Sequence, residues 1–494
     1  MTHGNHHSTV LRLRTMRRRR SRRGVALIIV LAAITILTVM LAEFQDESSA
    51  ELSGALSDRD ALRAEYMARS GIQLSRLLIA AEPTIRQAIA PLFMMMSGGK
   101  GSAPQIPVWE FSDRVLGAFN DTTGHEEFQS LAGVDLTQGR NLGIEGGRFE
   151  LVIVDEDSKI NMNVAARGDA FSQTRMAQQL IGLMAADQYK PLFEERDIDG
   201  QFSDSMTLCS ALIDWADPDE NYYNCDPRST ATASATAPED SFYQMLKTPY
   251  RRKNAAYDSL DELRMVRGVG DDFWATFVDP EPGNPKKRVM TVWGQGQVNV
   301  NTANAQTIWA IVCAGAPLAT LCVDPAQAQS FFMFFSMAKG FTMGAPLFFS
   351  PKAFVSTMKG QGMVGPILTS LGIEPVQFLS EAETIKMVAT ESKVFSIYAD
   401  GVVPGYRRET RVRIHAVVDF RAAPAPGYGP GFVPAGMEGM VPGATGGATP
   451  GAIPSTGTGS TQFGADATDV LGQSAIQGAL VPNPGGTIIY WRME

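Results

Sequence analysis

The chain has 494 residues, of which 43 are basic and 52 acidic, and a formal net charge of −9 at pH 7. This excess of acid argues against a protein that binds nucleic acid over its whole surface. The length leaves room for two domains beyond a membrane anchor. All four cysteines lie from Cys209 onwards, and an even count favours disulfides in an oxidising compartment.

The N-terminal region combines a basic leader with an apolar segment. Residues 1–24 contain eight arginines and no acid, and the eighteen residues 25–42 carry no charge. Eighteen helical residues reach roughly 27 Å, enough to cross the hydrocarbon core of a membrane. Because the arginines precede the segment and acids follow it from Glu43, the positive-inside rule predicts a cytoplasmic N-terminus and an exported remainder.

Gly24 separates Arg23 from the first apolar residue, Val25. A peptidase on the cytoplasmic face could remove the leader there and leave the apolar helix in the membrane. We therefore expect the mature chain to begin at Val25, in preference to a secretory signal or a plain signal anchor.

This layout resembles the leader of type IV prepilins and of the pseudopilins of type II secretion. Most members of those families carry Glu at the fifth position after the glycine, where this chain has Ile29. A carboxylate inside a membrane needs a positive partner, which in pilins is thought to be the N-terminal amine of a neighbouring subunit. A subunit without that Glu suits the first position of a fibre, at its tip.

Helical periodicity continues beyond the apolar segment. A stripe of Leu52, Ala55, Leu62, Tyr66, Leu74 and Leu77, with Arg59 and Ser70 on the same line, predicts a helix from Val25 to about Ala81 that ends near Pro83. We expect its upper half to pack this stripe on a sheet, with a free amphipathic stalk as the alternative.

Alternating apolar and polar residues predict strands at the two ends of the remaining chain. The first is "GRFELVIVDEDS", and "SKVFSIYADG" with "YRRETRVRIHAVVDFR" reads as a hairpin. Residues 160–389 between them show mostly helical periods. After a Gly- and Pro-rich stretch, "TIIYWRME" predicts a last strand that returns to the sheet, with a disordered tail as the alternative.

Seven further segments occur, in this order, in the minor pseudopilin K of type II secretion: "AEYMARSGIQL", "DEDSKINMN", "ALIDWADPDE", "PEDSFY", "KTPYRRKNAAYDSLDELRMVRGVG", "GQVNVNTAN" and "IIYWRME". With the leader and the missing fifth-position Glu, they make the chain resemble that family from about Arg17 to Arg421 and again over the last eight residues. Residues 83–147 and 422–486 depart from the family.

The resemblance implies an α+β fold in which a pilin-like long N-terminal helix packs on a small antiparallel sheet interrupted by a large helical insertion. It also implies a non-enzymatic tip subunit of the pseudopilus, anchored once in the inner membrane with a periplasmic C-terminal region, which initiates or caps the fibre for export of folded proteins. Its implied partners are the minor pseudopilins I and J and the prepilin peptidase.

The expected organisation follows from these patterns: leader 1–24, transmembrane helix 25–42, pilin-like helix and first strands 43–158, helical insertion 159–389, remaining strands 390–421 and 487–494, and Gly/Pro-rich loop 422–486.

Two alternative functions are weaker. "DSLDELRMVRGVGDDFW" and "NVNTANAQTIWAIV" each resemble a helix-hairpin-helix element, which suggests a DNA-binding minor pilin, but the basic residues cluster only locally at Arg251, Arg252, Lys253, Arg264 and Arg267. We expect no nucleic-acid partner.

A membrane-anchored hydrolase is disfavoured because only His125 and His415 remain after leader removal, and no catalytic triad, zinc cluster or phosphate loop is present.

The four cysteines form two local pairs along the sequence. Cys209 and Cys225 flank an acidic loop, and Cys313 and Cys322 flank "AGAPLATL". We expect disulfides within each pair, the alternative being four buried reduced thiols.

The acidic loop is a candidate calcium site. Between Trp215 and Tyr243 the chain offers a run of oxygen ligands: Asp217, Asp219, Glu220, Asn221, Asp226, Glu239 and Asp240. Many oxygen ligands at irregular spacing suit calcium better than magnesium or zinc, although a solvated acidic loop remains open from composition alone. Resemblance to the family favours structural calcium held by Asp217, Asp219, Glu239 and Asp240, with Asn221 or a backbone carbonyl completing the shell.

Overall fold

The structure is a computed structural model of the 494-residue chain. It describes residues 23–96, 103–120, 126, 142, 144, 146–194, 203–225, 240–341, 345–405, 408–423 and 484–494. The chain divides into two compact units, one formed by Met1–Asp60 with Gly405–Arg408 and the other by Ala61–Pro404 with Glu409–Glu494.

One helix, Arg23–Met96, begins at the end of the basic leader and continues from the first unit into the second. In the first unit its apolar side chains from Val25 to Leu41 are exposed. Within the described residues it is the one helix with the length and composition to cross a membrane. Thr35 and Thr38 do not interrupt it, because their hydroxyls donate back to carbonyls of the preceding turn.

The helix does not end near Ala81, as the sequence predicts, but continues through Pro83 and Pro91 to Met96. A proline in a helix costs about 3 kcal/mol, and tertiary contacts offset that cost here. Ile79 and Ala80 are buried on the sheet. The carboxylate of Glu82 accepts a hydrogen bond from the Ile106 amide and pairs with Arg86 one turn later, across the proline.

Most residues of the predicted apolar stripe do not pack on the sheet, so that prediction is wrong. In the second unit Leu62, Tyr66 and Leu77 are more than half exposed, and only Leu74 packs against the core. The face that contacts the sheet consists mainly of small residues: Ala64, Met67, Ala68, Gly71, Ile72 and Ser75. Small residues let a strand approach closely, an advantage that a hydrophobicity pattern does not reveal.

Four antiparallel strands form the main sheet: β1 (Arg148–Asp155), β6 (Val394–Pro404), β7 (Glu409–Asp419) and β8 (Thr487–Met493), in the order β1-β6-β7-β8. The register places Ile153 opposite Ile397, Ile397 opposite Ala416, and Ala416 opposite Trp491. The predicted hairpin and the predicted return of the last strand are thus confirmed.

Gly401 marks the closest approach between the sheet and the helix. A Cβ atom at this position of β6 would lie 1.8 Å from the carbonyl oxygen of Ala64 and 2.7 Å from the amide of Ala68. Such distances are far inside van der Waals contact, so only glycine fits there.

Between β1 and β6 the chain forms the helical insertion. Its α-helices are Ala170–Met184, Pro191–Glu194, Ser205–Ala216, Ser241–Gln244, Asp271–Phe273, Ala305–Gly315, Thr320–Val323, Pro325–Phe341, Pro351–Met358, Gly365–Ser370 and Glu381–Met387. A π-helix occupies Trp274–Val278, and 3-10 turns occupy Glu156–Ser158, Met162–Arg167, Asp187–Tyr189, Leu260–Met265 and Pro285–Lys287. Before β1, the chain forms the helical turns Val108–Phe111, Ser112–Leu116 and Gly117–Phe119.

Two parallel strand pairs, which the helical periods do not predict, cross the insertion. β2 (Ile160–Asn161) pairs with β3 (Met290–Thr291), and β4 (Val298–Asn299) pairs with β5 (Val388–Ala389). The insertion contains two apolar cores, one around Leu180 and Leu212 and one around Trp309 and Phe335.

The two cores meet where helix Ala170–Met184 crosses helix Ala305–Gly315. A Cβ at Gly182 would lie 2.3 Å from the carbonyl oxygen of Ala310 and 2.8 Å from the amide of Ala314. The α+β class, with a long N-terminal helix, a small antiparallel sheet and a helical insertion, agrees with the expectation from the sequence.

Candidate functional site

The predicted calcium loop begins at the C-terminal end of helix Ser205–Ala216. Asp204 starts this helix by accepting a hydrogen bond from the Thr207 amide, and Asp217 is the residue that ends it. The disulfide Cys209–Cys225 ties the helix to the first part of the loop, with Cα atoms 6.1 Å apart. The covalent ring encloses Asp217, Asp219 and Asn221 but not Asp240.

Asp217 is the most buried of the predicted ligands, at 0 % exposure. Its Oδ2 accepts a hydrogen bond of 3.1 Å from the side-chain amide of Gln173. Its Oδ1 is buried and has no hydrogen-bond partner within the described residues. Burial, and then the charge of Asp219, raise the pKa of Asp217 to about 7. An unpartnered carboxylate oxygen in a dry site is a group that a cation would satisfy.

Two other predicted ligands, Asp219 and Asp240, already have partners in the protein. Asp219 Oδ1 accepts a hydrogen bond of 2.7 Å from the amide of Asn221, whose own side chain is exposed. The carboxylate of Asp240 lies 3.5 Å from Nε of Arg252. Glu239 lies outside the described residues.

The structure adds a cation that the sequence argument missed. The Arg252 guanidinium is buried and donates to the carbonyl oxygen of Asp214 at 3.0 Å and to that of Asp219 at 3.1 Å. Because Arg252 also lies beside Asp240, one arginine joins the end of the helix, the acidic turn and the far end of the loop. It stands outside the interval from Trp215 to Tyr243 in the sequence, so a local charge count could not include it.

Asp214 is a second residue that the sequence argument missed. It lies one helical turn before Asp217, is 5 % exposed, and accepts a hydrogen bond from the Tyr223 amide. Burial raises the pKa of Asp214 to about 8, and Asp217 acts in the same direction. The spacing of the two acids in "IDWAD" is the signal that could have revealed this pair.

Taken together, the donor set consists of carboxylates, with Arg252 neutralising part of their charge. Among the residues that the structure describes, no three His, Cys, Asp or Glu side chains are grouped closely enough to hold a metal ion. Calcium binding by this loop stays a prediction, and the buried Oδ1 of Asp217 is the ligand atom that bears on it.

Both disulfides have the local pairing that the sequence predicts. Cys313 is bonded to Cys322 with Cα atoms 5.7 Å apart, in addition to the bond between Cys209 and Cys225, and no cysteine is free. Each bond closes a short loop in a different core of the insertion.

The segment "DEDSKINMN" lies where the chain leaves the sheet for the insertion. Asp155 is buried at the end of β1 and accepts hydrogen bonds from the hydroxyls of Thr302 and Ser392. Burial and the charge of Asp157 raise the pKa of Asp155 to about 7. These bonds tie the end of β1 to residues more than 140 positions away.

Asp157 makes the second part of this junction. Its carboxylate accepts from three backbone amides: Gln295 at 2.7 Å, Lys393 at 2.7 Å and Val394 at 3.1 Å. Because Val394 begins β6 and Lys393 directly precedes it, one carboxylate joins the chain that enters the insertion to the chain that leaves it.

Two arginines of the first segment that resembles a helix-hairpin-helix element pack on aromatic rings. Arg264 stacks over Trp274 at 4.0 Å and pairs with Asp271, and Arg267 lies over Phe242 at 4.7 Å. The second segment forms β4 and helix Ala305–Gly315. Both arginines therefore take part in packing contacts within the insertion.

Gly24 and Val25 lie in the first turn of the N-terminal helix. A Cβ at Gly24 would meet no atom within 4 Å, and Val25 is exposed. Cleavage between them stays a prediction.

A long helix with an exposed apolar N-terminal segment, whose later part packs on an antiparallel sheet, is the architecture of a pilin-like protein with a single-pass anchor. Comparison with known proteins gives a more specific result. Residues 158–277 match the family model "Type II secretion system (T2SS), protein K".

A curated relative, "Type II secretion system protein K" of Aeromonas hydrophila, is 25% identical over 172 residues, covering 33% of this chain and 46% of the relative. The chain thus spans about half the length of that relative. The crystal structure of the GspK-GspI-GspJ complex from enterotoxigenic Escherichia coli is also similar, with 16% identity and a TM-score of 0.34, over 56% of this chain and 75% of that one. The resemblance to protein K of type II secretion is confirmed by the family and sequence matches.

Proposed function

We propose that this chain is a minor pseudopilin of type II secretion that stands at the tip of the pseudopilus and initiates or caps the fibre for export of folded proteins. The observation that carries this proposal is the match of residues 158–277 to protein K, since this segment lies in the helical insertion that interrupts the pilin-like sheet. The apolar helix supports it by providing a single-pass anchor.

The partners in this proposal are the minor pseudopilins I and J. An exposed apolar face of the N-terminal helix, including Leu62, Tyr66 and Leu77, is available to pack against the helices of other subunits. Coexpression of the full chain with I and J in membranes, followed by affinity purification in detergent, should recover all three proteins. Recovery of this chain alone would contradict the proposal.

Two charge variants locate the contact. Leu77→Glu places a carboxylate on the exposed helix face and should abolish recovery of I and J. Met245→Glu, at a similarly exposed apolar position in the insertion, is the matched control and should leave recovery intact. Equal behaviour of the two variants would contradict a helix-mediated contact.

We further propose that prepilin peptidase removes residues 1–24 and that Val25 becomes the mature N-terminus in the inner membrane, with the C-terminal region in the periplasm. The uncharged segment 25–42 between a basic and an acidic flank supports this orientation. N-terminal sequencing should find Val25, and Gly24→Leu should leave the precursor uncut while Gly54→Leu, an exposed glycine of the same helix, is processed normally. A mature chain that starts at Met1 would refute this.

The proposed role is non-enzymatic. His415, the one histidine among the described residues, stacks on Tyr398 with ring centroids 4.1 Å apart, and all four cysteines are bonded in disulfides. These side chains take part in packing and cross-linking, and we propose that the protein acts by binding other subunits.

We also propose that the acidic loop binds structural calcium through Asp217, Asp219, Glu239 and Asp240, with Asn221 or a backbone carbonyl completing the shell. Support comes from the buried Oδ1 of Asp217, which has no hydrogen-bond partner within the described residues. The ion would supply positive charge that holds the loop, while Arg252 keeps the loop's carbonyl oxygens in place.

Calcium should raise the melting temperature of the full chain relative to a chelator. Asp217→Asn should abolish that increase, whereas Asp261→Asn, at an exposed acid elsewhere in the insertion, should preserve it. An identical melting temperature in excess calcium and in chelator would show that the site does not exist.

A further inference from the structure

A groove lies between the main sheet and the first core of the insertion. It has a volume of about 290 Å³, close to the lower limit of roughly 300 Å³ that is typical of ligand pockets. Strands β6, β7 and β8 contribute Tyr398, His415 and Tyr490 to its wall, and the insertion contributes Trp274 and Trp293. We call it the sheet groove.

Aromatic rings form a continuous row along the wall of the sheet groove. The ring of His415 stacks on Tyr398 with centroids 4.1 Å apart, and its centroid lies 5.1 Å from that of Tyr490. Trp293 extends the row from the insertion, with its ring centroid 5.5 Å from that of Tyr490. Because each ring packs on its neighbour, the wall presents a preformed apolar surface.

This wall also carries hydrogen-bond donors that have no acceptor. Within the described residues, the indole N–H groups of Trp274 and Trp293 make no hydrogen bond, and neither do the hydroxyls of Tyr398 and Tyr490. None of these four atoms is among the buried atoms that solvent cannot reach, whereas Nε2 of His415 is closed to solvent. A water-sized ligand atom can therefore reach each of the four donors.

The cations that line the sheet groove already have anionic partners. The ion pairs are Lys159 with Glu156, Arg288 with Asp279, Arg413 with Asp400 and Arg492 with Glu494. A charged ligand would gain little from cations that are already neutralised in this way. The open donors and aromatic rings instead favour an uncharged ligand that accepts hydrogen bonds and packs apolar rings on the wall.

A proline-rich segment of this chain has that chemistry. Residues 424–434, "PAPGYGPGFVP", which lie outside the described residues, contain four prolines and no charged residue. Proline has no backbone N–H to donate, and its carbonyl oxygen accepts hydrogen bonds. Proline-rich sequences favour polyproline II, which leaves its carbonyl oxygens free, and they bind in aromatic-lined grooves.

This segment is attached close to the sheet groove. It follows β7, whose last residue, Asp419, lies four residues beyond His415, about 13 Å along the strand. Eleven residues of polyproline II extend about 34 Å, so the segment is long enough to reach the sheet groove from Ala423. Attachment of this kind corresponds to an effective concentration in the millimolar range, at which even weak binding leads to occupancy.

We propose that the sheet groove binds residues 424–434 of the same chain. Prolines of the segment pack on the rings of Tyr490 and Trp293, and its carbonyl oxygens accept from the indole N–H of Trp293 and the hydroxyl of Tyr398. The connection between β7 and β8 is thereby held beside the two strands that it joins. This binding involves one chain only and does not depend on the assembly role proposed above.

The first experiment uses the full chain in lipid nanodiscs, labelled with 5-fluorotryptophan. The ¹⁹F resonance of Trp293 is assigned by its loss in Trp293→Phe. A four-serine variant, which combines Pro424→Ser, Pro426→Ser, Pro430→Ser and Pro434→Ser, should shift this resonance because the segment leaves the sheet groove. The matched control combines Pro442→Ser, Pro450→Ser, Pro454→Ser and Pro482→Ser and should leave it in place. An unchanged Trp293 resonance in the four-serine variant overturns the inference.

A peptide then tests whether the occupant comes from the same chain. Acetyl-PAPGYGPGFVP-amide at millimolar concentration should return the Trp293 resonance of the four-serine variant toward its wild-type position. The wild type should bind this peptide at least about three-fold more weakly, because its own attached segment competes for the sheet groove. Equal affinities of the two proteins would show that the groove takes such a segment from another chain and would overturn the inference.

A change of one atom tests the proposed hydrogen bond. Tyr398→Phe keeps the ring in the row and removes the hydroxyl donor, so in the four-serine background it should weaken the affinity for the peptide by about five-fold. Tyr66→Phe, at an exposed tyrosine of the N-terminal helix, is the matched control and should preserve the affinity. Equal affinities of the two variants would contradict the placement of the segment against Tyr398.

Discussion

The pilin-like module, formed by residues 61–96 of the N-terminal helix with β1, β6, β7 and β8, is held together differently from the junction that joins it to the insertion. The module relies on apolar contact and on one very close backbone approach at Gly401. The junction relies on buried carboxylates, above all Asp155 and Asp157, that accept hydrogen bonds from distant segments. Stability in the first region therefore depends on shape, and in the second on complete hydrogen bonding.

The difference matters for a protein that carries a large insertion between two adjacent strands. β1 and β6 pair directly, although Asp155 and its partner Phe395 are 240 positions apart in the sequence. Asp157 accepts hydrogen bonds from the two residues around the start of β6 and so fixes where the chain returns.

The largest effect is expected from Gly401→Ala, which tests the role of shape in the module. The added Cβ would overlap the backbone of Ala64, which cannot move without the whole helix. We expect a loss of at least about 4 kcal/mol in the free energy of unfolding, measured by urea denaturation. Gly270→Ala, where a Cβ meets no atom within 4 Å, should change it by less than about 0.5 kcal/mol. Similar stabilities of the two variants would disprove the close contact.

Removal of the disulfide between Cys209 and Cys225 comes next and tests the insertion alone. The bond spans 16 residues, and closing a loop of this length contributes about 3 kcal/mol. The double alanine variant should unfold the first core of the insertion at lower urea, while amide exchange in β6 and β7 stays slow. If amide protection were lost together in the insertion core and in β6 and β7, the insertion and the pilin-like module would not be stabilised independently.

Asp157→Asn tests the polar junction. The amide group of Asn can accept at only one of its two terminal atoms, so its NH₂ would face a backbone donor of β6 or Gln295. We expect the free energy of unfolding, measured by urea denaturation, to fall by about 2 kcal/mol. Asp261→Asn, at an exposed acid, is the control and should be neutral. Full stability of Asp157→Asn would indicate that the junction does not need the carboxylate.

The smallest effect depends on pH and concerns His415, on the face of the sheet that also bears Tyr398 and Tyr490. Burial lowers the pKa of His415 to about 4, and its ring lies between Tyr398 and Tyr490. Of the charged groups around it, Glu156 acts to raise the pKa, whereas Arg288, Lys159 and Arg492 lower it. The folded state favours the neutral ring. The contribution of His415 to the free energy of unfolding is therefore complete above about pH 6.5 and is lost as the pH falls toward 4.

His415→Phe preserves the ring and removes the titration. When the pH is lowered from 7 to 5, the free energy of unfolding of the wild type should therefore fall by about 1–2 kcal/mol more than that of the variant. Thermal unfolding at the two pH values measures this difference. Parallel pH profiles of the two proteins would contradict a buried neutral histidine.

The sequence predicts the module well and the polar sites poorly. Alternation of apolar and polar residues locates β6 and β7, because one face of each strand is buried. The same reasoning chose the wrong helix face, since Ala64, Ala68 and Gly71 pack closely without being strongly hydrophobic. It also ended the helix at Pro83, where contacts of Glu82 and Arg86 outside the helix offset the cost of proline.

The acidic loop shows the same limit at the candidate site. The many acidic residues between Trp215 and Tyr243 identify Asp217 and Asp219 from the sequence. Their partner Arg252 comes from a separate segment, which only the fold brings near the loop. Asp155 and Asp157 were noted as part of a motif, and their hydrogen-bond partners lie up to 237 residues away. Local patterns therefore identify charged residues but not the donors that satisfy them.

The proposed role in secretion has one most direct test. Cells that lack this chain but retain the other components of the secretion system should keep type II substrates in the periplasm, as measured by the fraction of each substrate found in the medium. Expression of the wild-type chain should restore export, and the uncleaved Gly24→Leu precursor should not. Unchanged export in the absence of the chain would contradict its role as a pseudopilin of this system.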